Sequence, residues 1–162
     1  MEANITIEEL NSADITTYST MLDMIDMVDA VFDEFVGKDY SELGRKTFKD
    51  YLDIKKIMER LAQQTSQWYF AKLDNEIIGV LEIRYQNHIA LFYVQKEFHR
   101  QGIGKKLIQH YLKIMKQNNV NILTVNSSIY AEKIYAKLGF IKLGELAERS
   151  GIKFIPMAYR LT

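Results

Sequence analysis

Residues 88–108 read His88-Ile-Ala-Leu-Phe-Tyr-Val94, Gln95-Lys-Glu-Phe98, His99-Arg-Gln-Gly-Ile-Gly104 and Lys105-Lys-Leu-Ile108. The first run is short and apolar, with polar residues on either side, which reads as a strand. After the glycines the period changes: Ile103, Leu107, Tyr111 and Met115, with Ile108 and Leu112 beside them, fall on one face of a helix that ends at Asn118-Asn119. A strand therefore runs through a glycine turn into a helix. The first amides of a helix have no intrahelical acceptor and sit at the positive end of its dipole, so such a turn attracts phosphate. Gly102 and Gly104 would let a diphosphate approach the backbone, and Arg100, Lys105 and Lys106 add positive charge. A plainer reading is a helix start whose glycines serve tight packing.

Two common phosphate motifs do not fit. The nucleotide-triphosphate loop needs Gly where His99 stands and Ser or Thr where Lys106 stands. The dinucleotide fingerprint needs a third glycine at the position of Leu107.

Outward from this segment, residues 4–10 suit an edge strand. The stretch Ile15–Val36 carries Met21, Leu22, Ile25, Val28, Phe32 and Phe35 at helical spacing, with Gly37 as its stop. A second helical stretch, 43–62, is marked by Phe48, Leu52, Ile57 and Leu61 and is expected to bend or break near 52–55. Strands at 67–73 and 77–85 flank the polar turn Asp74-Asn75-Glu76. Downstream come a buried-type strand at 121–126, a short helix at 128–138 between Ser128 and Gly139, and strands at 140–143 and 152–161. The whole, 1–162, reads as one mixed α/β domain without repeats or linkers.

Composition narrows the class. The chain has 162 residues, 48% of them hydrophobic, enough for one sizeable core. Its 21 basic and 21 acidic residues cancel, which argues against nucleic-acid or membrane-surface binding. With no cysteine there is no disulfide, no thiolate metal ligand and no cysteine nucleophile. Met1-Glu2-Ala3-Asn4 lacks the basic flank and apolar run of a signal peptide, and no apolar stretch approaches the ~20 residues that span a bilayer. A cytoplasmic protein is expected.

The run Phe92-Tyr93-Val94 with His99-Arg100-Gln101-Gly102-Ile103-Gly104-Lys105 resembles the coenzyme A loop of the GNAT superfamily of N-acetyltransferases, whose pattern is Arg or Gln, two free positions, Gly, one free position, then Gly or Ala. His99 departs from it at the first position. Thr124-Val125-Asn126-Ser127-Ser128, Ala131 and Tyr135-Ala136-Lys137-Leu138-Gly139-Phe140 are similar to the family's second characteristic region. The resemblance implies a central, mixed, mostly antiparallel twisted sheet flanked by about four helices. It also implies acetyl-CoA as cosubstrate, no metal, and transfer to a primary amine through a tetrahedral intermediate. On this resemblance Tyr93, Val94, residues His99 to Lys105, Asn126 and Tyr135 hold the cofactor. A bulge in the strand before the loop frees an amide at or next to Val94 for the thioester carbonyl, and Tyr135 is the general acid for the departing sulfur.

The base stays open between Glu82, His88, Glu34 and a water relay. Asp23, Asp26, Asp29 and Asp33, followed by Glu34 and Asp39, are either a wall selecting cationic amines or a solvated helix face. Ser127 and Tyr130 are further candidates to reach the acceptor. A small-molecule amine is the leading partner. A protein or peptide acetyltransferase and a non-catalytic acetyl-CoA-binding regulator are the alternatives. Residues 151–161 offer strand surface for a homodimer, which the resemblance also suggests.

Overall fold

The computed structural model describes residues 4–14 and 16–162. The reading of Met1–Ala3 and the choice of Ile15 as a helix start lie outside them. In chain order the elements are β1 (Ile5–Glu9), α1 (Thr17–Val31), a π-helical turn (Phe32–Val36), a 3-10 turn (Gly37–Asp39), α2 (Glu42–Tyr51), α3 (Ile54–Ala62), β2 (Ser66–Leu73), β3 (Glu76–Arg84) and β4 (His88–Val94). A 3-10 turn (Lys96–Phe98), α4 (Ile103–Gln117), β5 (Ile122–Ser127), α5 (Glu132–Lys137), β6 (Ile141–Lys142), β7 (Ala147–Arg149) and β8 (Ile152–Arg160) complete the chain.

The eight strands form one sheet in the order β1-β2-β3-β4-β5-β8-β6, with β7 also on β8. Only β4 and β5 run parallel, and they pair at just two positions, His88 with Thr124 and Ile89 with Val125. Beyond Ile89 the two strands part, leaving a gap in the middle of the sheet. This is the mixed, mostly antiparallel α/β fold expected from the sequence. Helix α4 covers one face, sealing Ile103, Leu107, Tyr111 and Met115 against Leu81, Ile83 and Ile89. The first three helices cover the other, where Met21, Met24, Val28 and Ile57 meet Trp68, Phe70, Val80 and Leu91.

Among the described residues there are five α-helices rather than about four, because the second helical stretch divides where the sequence expects a break. Leu52 ends α2, and the Asp53 carboxylate caps α3 by accepting from the Lys56 amide at 3.3 Å. The apolar face of α1 is Met21, Met24, Met27, Val28 and Val31, whereas Leu22 is exposed. A stripe chosen at spacings of three and four has several solutions on so apolar a helix. The π turn then sinks Phe32 and Val36 into the core and leaves Phe35 half-buried.

Three other expectations shift. Strand β5 is not buried on both faces; burial alternates along it, with Leu123, Val125 and Ser127 inside and Asn126 outside. Strand β6 is only two residues long, and β7 had no separate reading. Strand β8 has β5 on one side and β6 and β7 on the other, so its edges are occupied within the chain.

One irregularity places the site. Glu82 pairs with Leu91 and Ile83 with Ile89, so Ala90 is an extra residue in β4, a β-bulge.

Candidate active site

The gap between β4 and β5 opens into a cavity of about 1220 Å³ that runs from the glycine turn to the paired ends of the two strands. It exceeds the few hundred to about 1,000 Å³ of an ordinary ligand pocket, so two substrates can meet inside it. At one end α4 begins with Gly102, whose φ is +79° and whose missing Cβ would meet no atom within 4 Å. No side chain caps this helix, and its first internal bond is Lys106 N–H to the Gly102 carbonyl at 3.1 Å. The amides of Ile103, Gly104 and Lys105 therefore have no acceptor within the helix. Arg100, Lys105 and Lys137 line the cavity around this end and form no ion pair among the described residues.

His99, the departure from the loop pattern, serves the turn itself. Its Nε2–H donates to the Val94 carbonyl at 2.7 Å, pinning the loop to the end of β4. Gln101 does not face the cavity, because its side chain donates to the Glu97 carbonyl at 3.0 Å. Ile103 is in the core, and Gly104 gives room to a side chain rather than to phosphate: a Cβ there would stand 2.7 Å from Cζ of Phe92.

Along β4, the Gln95 amide donates to the Ile78 carbonyl of β3 at 2.8 Å. Strand alternation turns the amides of Val94 and Phe92 the other way, into the gap that β5 has left. The bulge lies at Ala90, in the strand before the loop, and the resemblance places the amide it frees at or next to Val94. Its effect is to set which amides point into the gap.

Tyr135, on α5, lines the cavity in a cage of rings, 5.6 Å from Phe92 and 5.3 Å from Phe140. Burial, with a smaller contribution from Tyr40, raises its pKa far above the ordinary phenol value, so the hydroxyl keeps its proton. Tyr40 and Tyr93 face the same space. Burial, then Asp39, pushes Tyr40 up to about 12. Tyr93 is raised by burial and by its two tyrosine neighbours. Asn126 projects into the cavity from β5.

Of the three candidate bases, only His88 lines this cavity. Its Nδ1 lies 2.8 Å from Thr124 Oγ1, and Thr124 gives its own hydroxyl proton to the Asn87 carbonyl at 3.2 Å. With the Thr124 hydroxyl proton on the Asn87 carbonyl, Nδ1 carries the ring proton and the Nε2 lone pair is free. Burial, then the charge of Arg84, lowers the His88 pKa and keeps the ring neutral. Glu82 is fully buried outside the cavity, held by Arg60 Nε at 3.0 Å, Ser66 Oγ at 2.6 Å and the Tyr51 hydroxyl at 2.9 Å. Glu34 pairs with Lys96 at 2.6 Å.

The acidic stripe does not wall the cavity. Lys49 of α2 holds Asp29 at 2.7 Å and Asp33 at 2.8 Å, while Asp23, Asp26 and Glu34 line a separate groove. Ser127 is buried against its neighbour's carbonyl, whereas Tyr130 packs 5.3 Å from Phe35 at the cavity edge.

The β7–β8 hairpin closes the far wall. Ser41 Oγ donates to the Gly151 carbonyl at 3.1 Å, tying the hairpin to α2, and the Thr47 hydroxyl, 2.8 Å from the Leu43 carbonyl of its own helix, also stands 3.1 Å from the Ser150 carbonyl. Sequence reading missed Tyr51, Lys56, Arg84 and Arg149 on this side of the cavity. Each is a lone polar residue whose neighbours come from distant segments, so no local pattern sets it apart.

Residues 36–161 match the family model described as an acetyltransferase (GNAT) domain. The chain is also similar to solved structures. A GCN5-related N-acetyltransferase from Rhodopseudomonas palustris aligns with a TM-score of 0.75 at 20% identity, covering 99% of each chain. PaiA N-acetyltransferase from Thermoplasma acidophilum, in complex with coenzyme A, aligns with a TM-score of 0.75 at 19% identity, covering 98% of this chain and 99% of that one. A GNAT-family acetyltransferase from Staphylococcus aureus Mu50 gives 0.74 at 18%, with 98% and 100% covered. At these identities the structural likeness speaks for the fold.

Proposed function

The chain belongs to the GNAT acetyltransferase family, whose enzymes draw their acetyl group from acetyl-CoA, and from that premise we propose that it acetylates the primary amine of a small molecule in the cytoplasm. The observation that carries this reading is a single cavity with a phosphate-ready helix start at one end and a neutral, lone-pair-bearing His88 at the other. The residues present fit coenzyme A: open space at Gly102, unbonded amides at the start of α4, and Arg100, Lys105 and Lys137 for its phosphates. When bound, acetyl-CoA supplies the thioester.

Each step has a residue of suitable chemistry. His88 Nε2 takes the proton of the attacking amine. One of the Phe92 and Val94 amides steadies the carbonyl oxygen as it gains charge in the tetrahedral intermediate, and the other, ~6.6 Å away along the strand edge, is left for the rest of the cosubstrate. Tyr135 gives its proton to the departing sulfur and regains one from solvent. Phe92 and Val94 offer the free edge of β4 to the pantetheine arm, with Asn126 opposite, while the main chain of Tyr93 pairs with β3 and only its side chain faces the cavity. The hairpin tied to α2 favours a small acceptor, since it bridges the side through which a polypeptide would lie.

Thermal unfolding with and without acetyl-CoA tests the reading. Ligand at ~100 times its dissociation constant stabilises the native state by ~2.7 kcal/mol, which is roughly 5–10 °C here at the ~2–4 °C per kcal/mol of a domain this size. Gly102→Glu, which places a carboxylate in the open space at the helix start, abolishes the shift while the protein stays folded. No shift in the parent at saturating ligand would overturn the assignment.

A further inference from the structure

The acceptor half of the cavity carries charge of one sign. Lys56, Arg84 and Arg149 line it, and the only acid on the cavity wall among the described residues, Asp50, is already held by Lys56. Arg84 donates to the Thr65 carbonyl at 3.3 Å and the Tyr85 hydroxyl at 3.0 Å and also lies against the Tyr51 hydroxyl, contacts that use part of its five donors. Its charge reaches His88, whose pKa it helps to lower. Arg149 forms no ion pair among the described residues; its guanidinium lies 5.5 Å over the Phe154 ring. The hairpin that carries Arg149 is fixed by Ser41 through the Gly151 carbonyl, so its place at the cavity does not depend on its own charge.

A polycationic amine entering here meets like charge at both Arg84 and Arg149. A molecule that carries an anion beside its amine meets two guanidinium groups with donors to spare, a geometry that suits carboxylate. Resting on the acetyltransferase reading above, we propose that the acceptor is a primary amine whose own molecule bears a carboxylate, with Arg149 and Arg84 reading the carboxylate while His88 takes the amine proton. Arg100 and Lys105, which face phosphate, belong to the α4 end, so the two anions of the ternary complex are held by separate sets of cations.

Binding tests this without requiring turnover. N-acetylglycine, N-acetyl-β-alanine and N-acetyl-γ-aminobutyrate, each beside its carboxamide, are titrated calorimetrically into the protein saturated with coenzyme A. The carboxylate of at least one pair binds ~10-fold or more tightly than its amide. Arg149→Gln, a change at an exposed position, removes most of that preference and leaves coenzyme A affinity unchanged. Equal binding of acid and amide in all three pairs overturns the proposal. So does Arg149→Gln weakening coenzyme A while the preference survives, which would assign Arg149 to the cofactor. In a parallel assay of thiol release, amino acids exceed putrescine and agmatine in kcat/KM. Faster acetylation of the diamine overturns the proposal and leaves the acetyltransferase intact. Absence of thiol release with every amine would instead count against the enzyme reading, and the calorimetry then decides the charge preference alone.

Discussion

Gly151→Ala isolates the hairpin wall from the cofactor end. Gly151 has φ +79°, and a Cβ there would overlap the Gly44 amide and Ser41 Oγ and stand 3.0 Å from Gly44 Cα. Helix α2 is fixed by its packing and its Ser41 cap, so the hairpin is the part that yields. The left-handed backbone costs an alanine about 1–2 kcal/mol. Losing the Ser41–Gly151 hydrogen bond adds about 1 kcal/mol, the middle of the usual range. The sum, about 2–3 kcal/mol, predicts a melting point lower by roughly 4–12 °C. Gly144→Ala is the control, since its Cβ would make an ordinary 3.4 Å contact with Pro156 and its φ is not positive. Steady-state kinetics then separate the two halves of the site: the acceptor KM rises ~10-fold, the loss expected when one charge-assisted contact is removed, and the acetyl-CoA KM stays put. A variant that melts early yet keeps its acceptor KM would refute the hairpin as a wall. An equal rise in both constants would refute the separation of the two ends.

Three other changes test the chemistry. His88→Gln lowers kcat/KM by ~10²–10⁴-fold, as loss of a general base does. Because the folded-state pKa of His88 is depressed, the parent's rate falls as pH drops below the ordinary histidine range, and so does the part of its stability that comes from keeping the ring neutral; that part is whole above pH ~6.5. A pH–stability profile that the substitution leaves unchanged below pH 6.5 would contradict the burial argument. Tyr135→Phe lowers kcat severalfold or more and leaves acetyl-CoA binding, read by calorimetry, as it was; unchanged turnover would remove Tyr135 from the proton path. Glu82→Gln strips a buried Arg60, one of whose terminal nitrogens already lacks a partner, of its countercharge. It costs ~3–5 kcal/mol in denaturant unfolding, and a folded-state stability close to the parent's would mean that the buried pair contributes little.

Much of the fold was legible because its signals are local. The strand at 88–94, the helix at 103–117 and the break at 52–53 each follow from period, glycine or a capping aspartate within a few residues. The turn at Gly102 is of this kind as well. What escaped depends on partners far along the chain. Four aspartates at helical spacing say nothing about Lys49, which takes up two of them. Nor does the run around Glu82 announce that Arg60, Ser66 and Tyr51 converge on it. A carboxylate within a strand looks like a base until its partners are known, and here they turn it into a structural ion pair.

The bulge at Ala90 ties these strands of evidence together. Strict alternation from His88 would put 90, 92 and 94 on its face and turn 91 and 93 toward α4. With one residue extra, Leu91 and Tyr93 join His88 on the side of the first three helices. Phe92 and Val94 pack instead under α4, where Gly104 makes room for the Phe92 ring. The same shift points the Phe92 and Val94 amides into the gap beside β5. Six apolar residues in a row, Ile89–Val94, carry no mark of which one is surplus, and the family resemblance placed the freed amide at or next to Val94 without locating the bulge. The bulge's position gives the base and the oxyanion donor one origin. Ala90 sets His88, Tyr93 and the two amides around a single space, and the parting of β5 after Ile89 opens that space to both substrates.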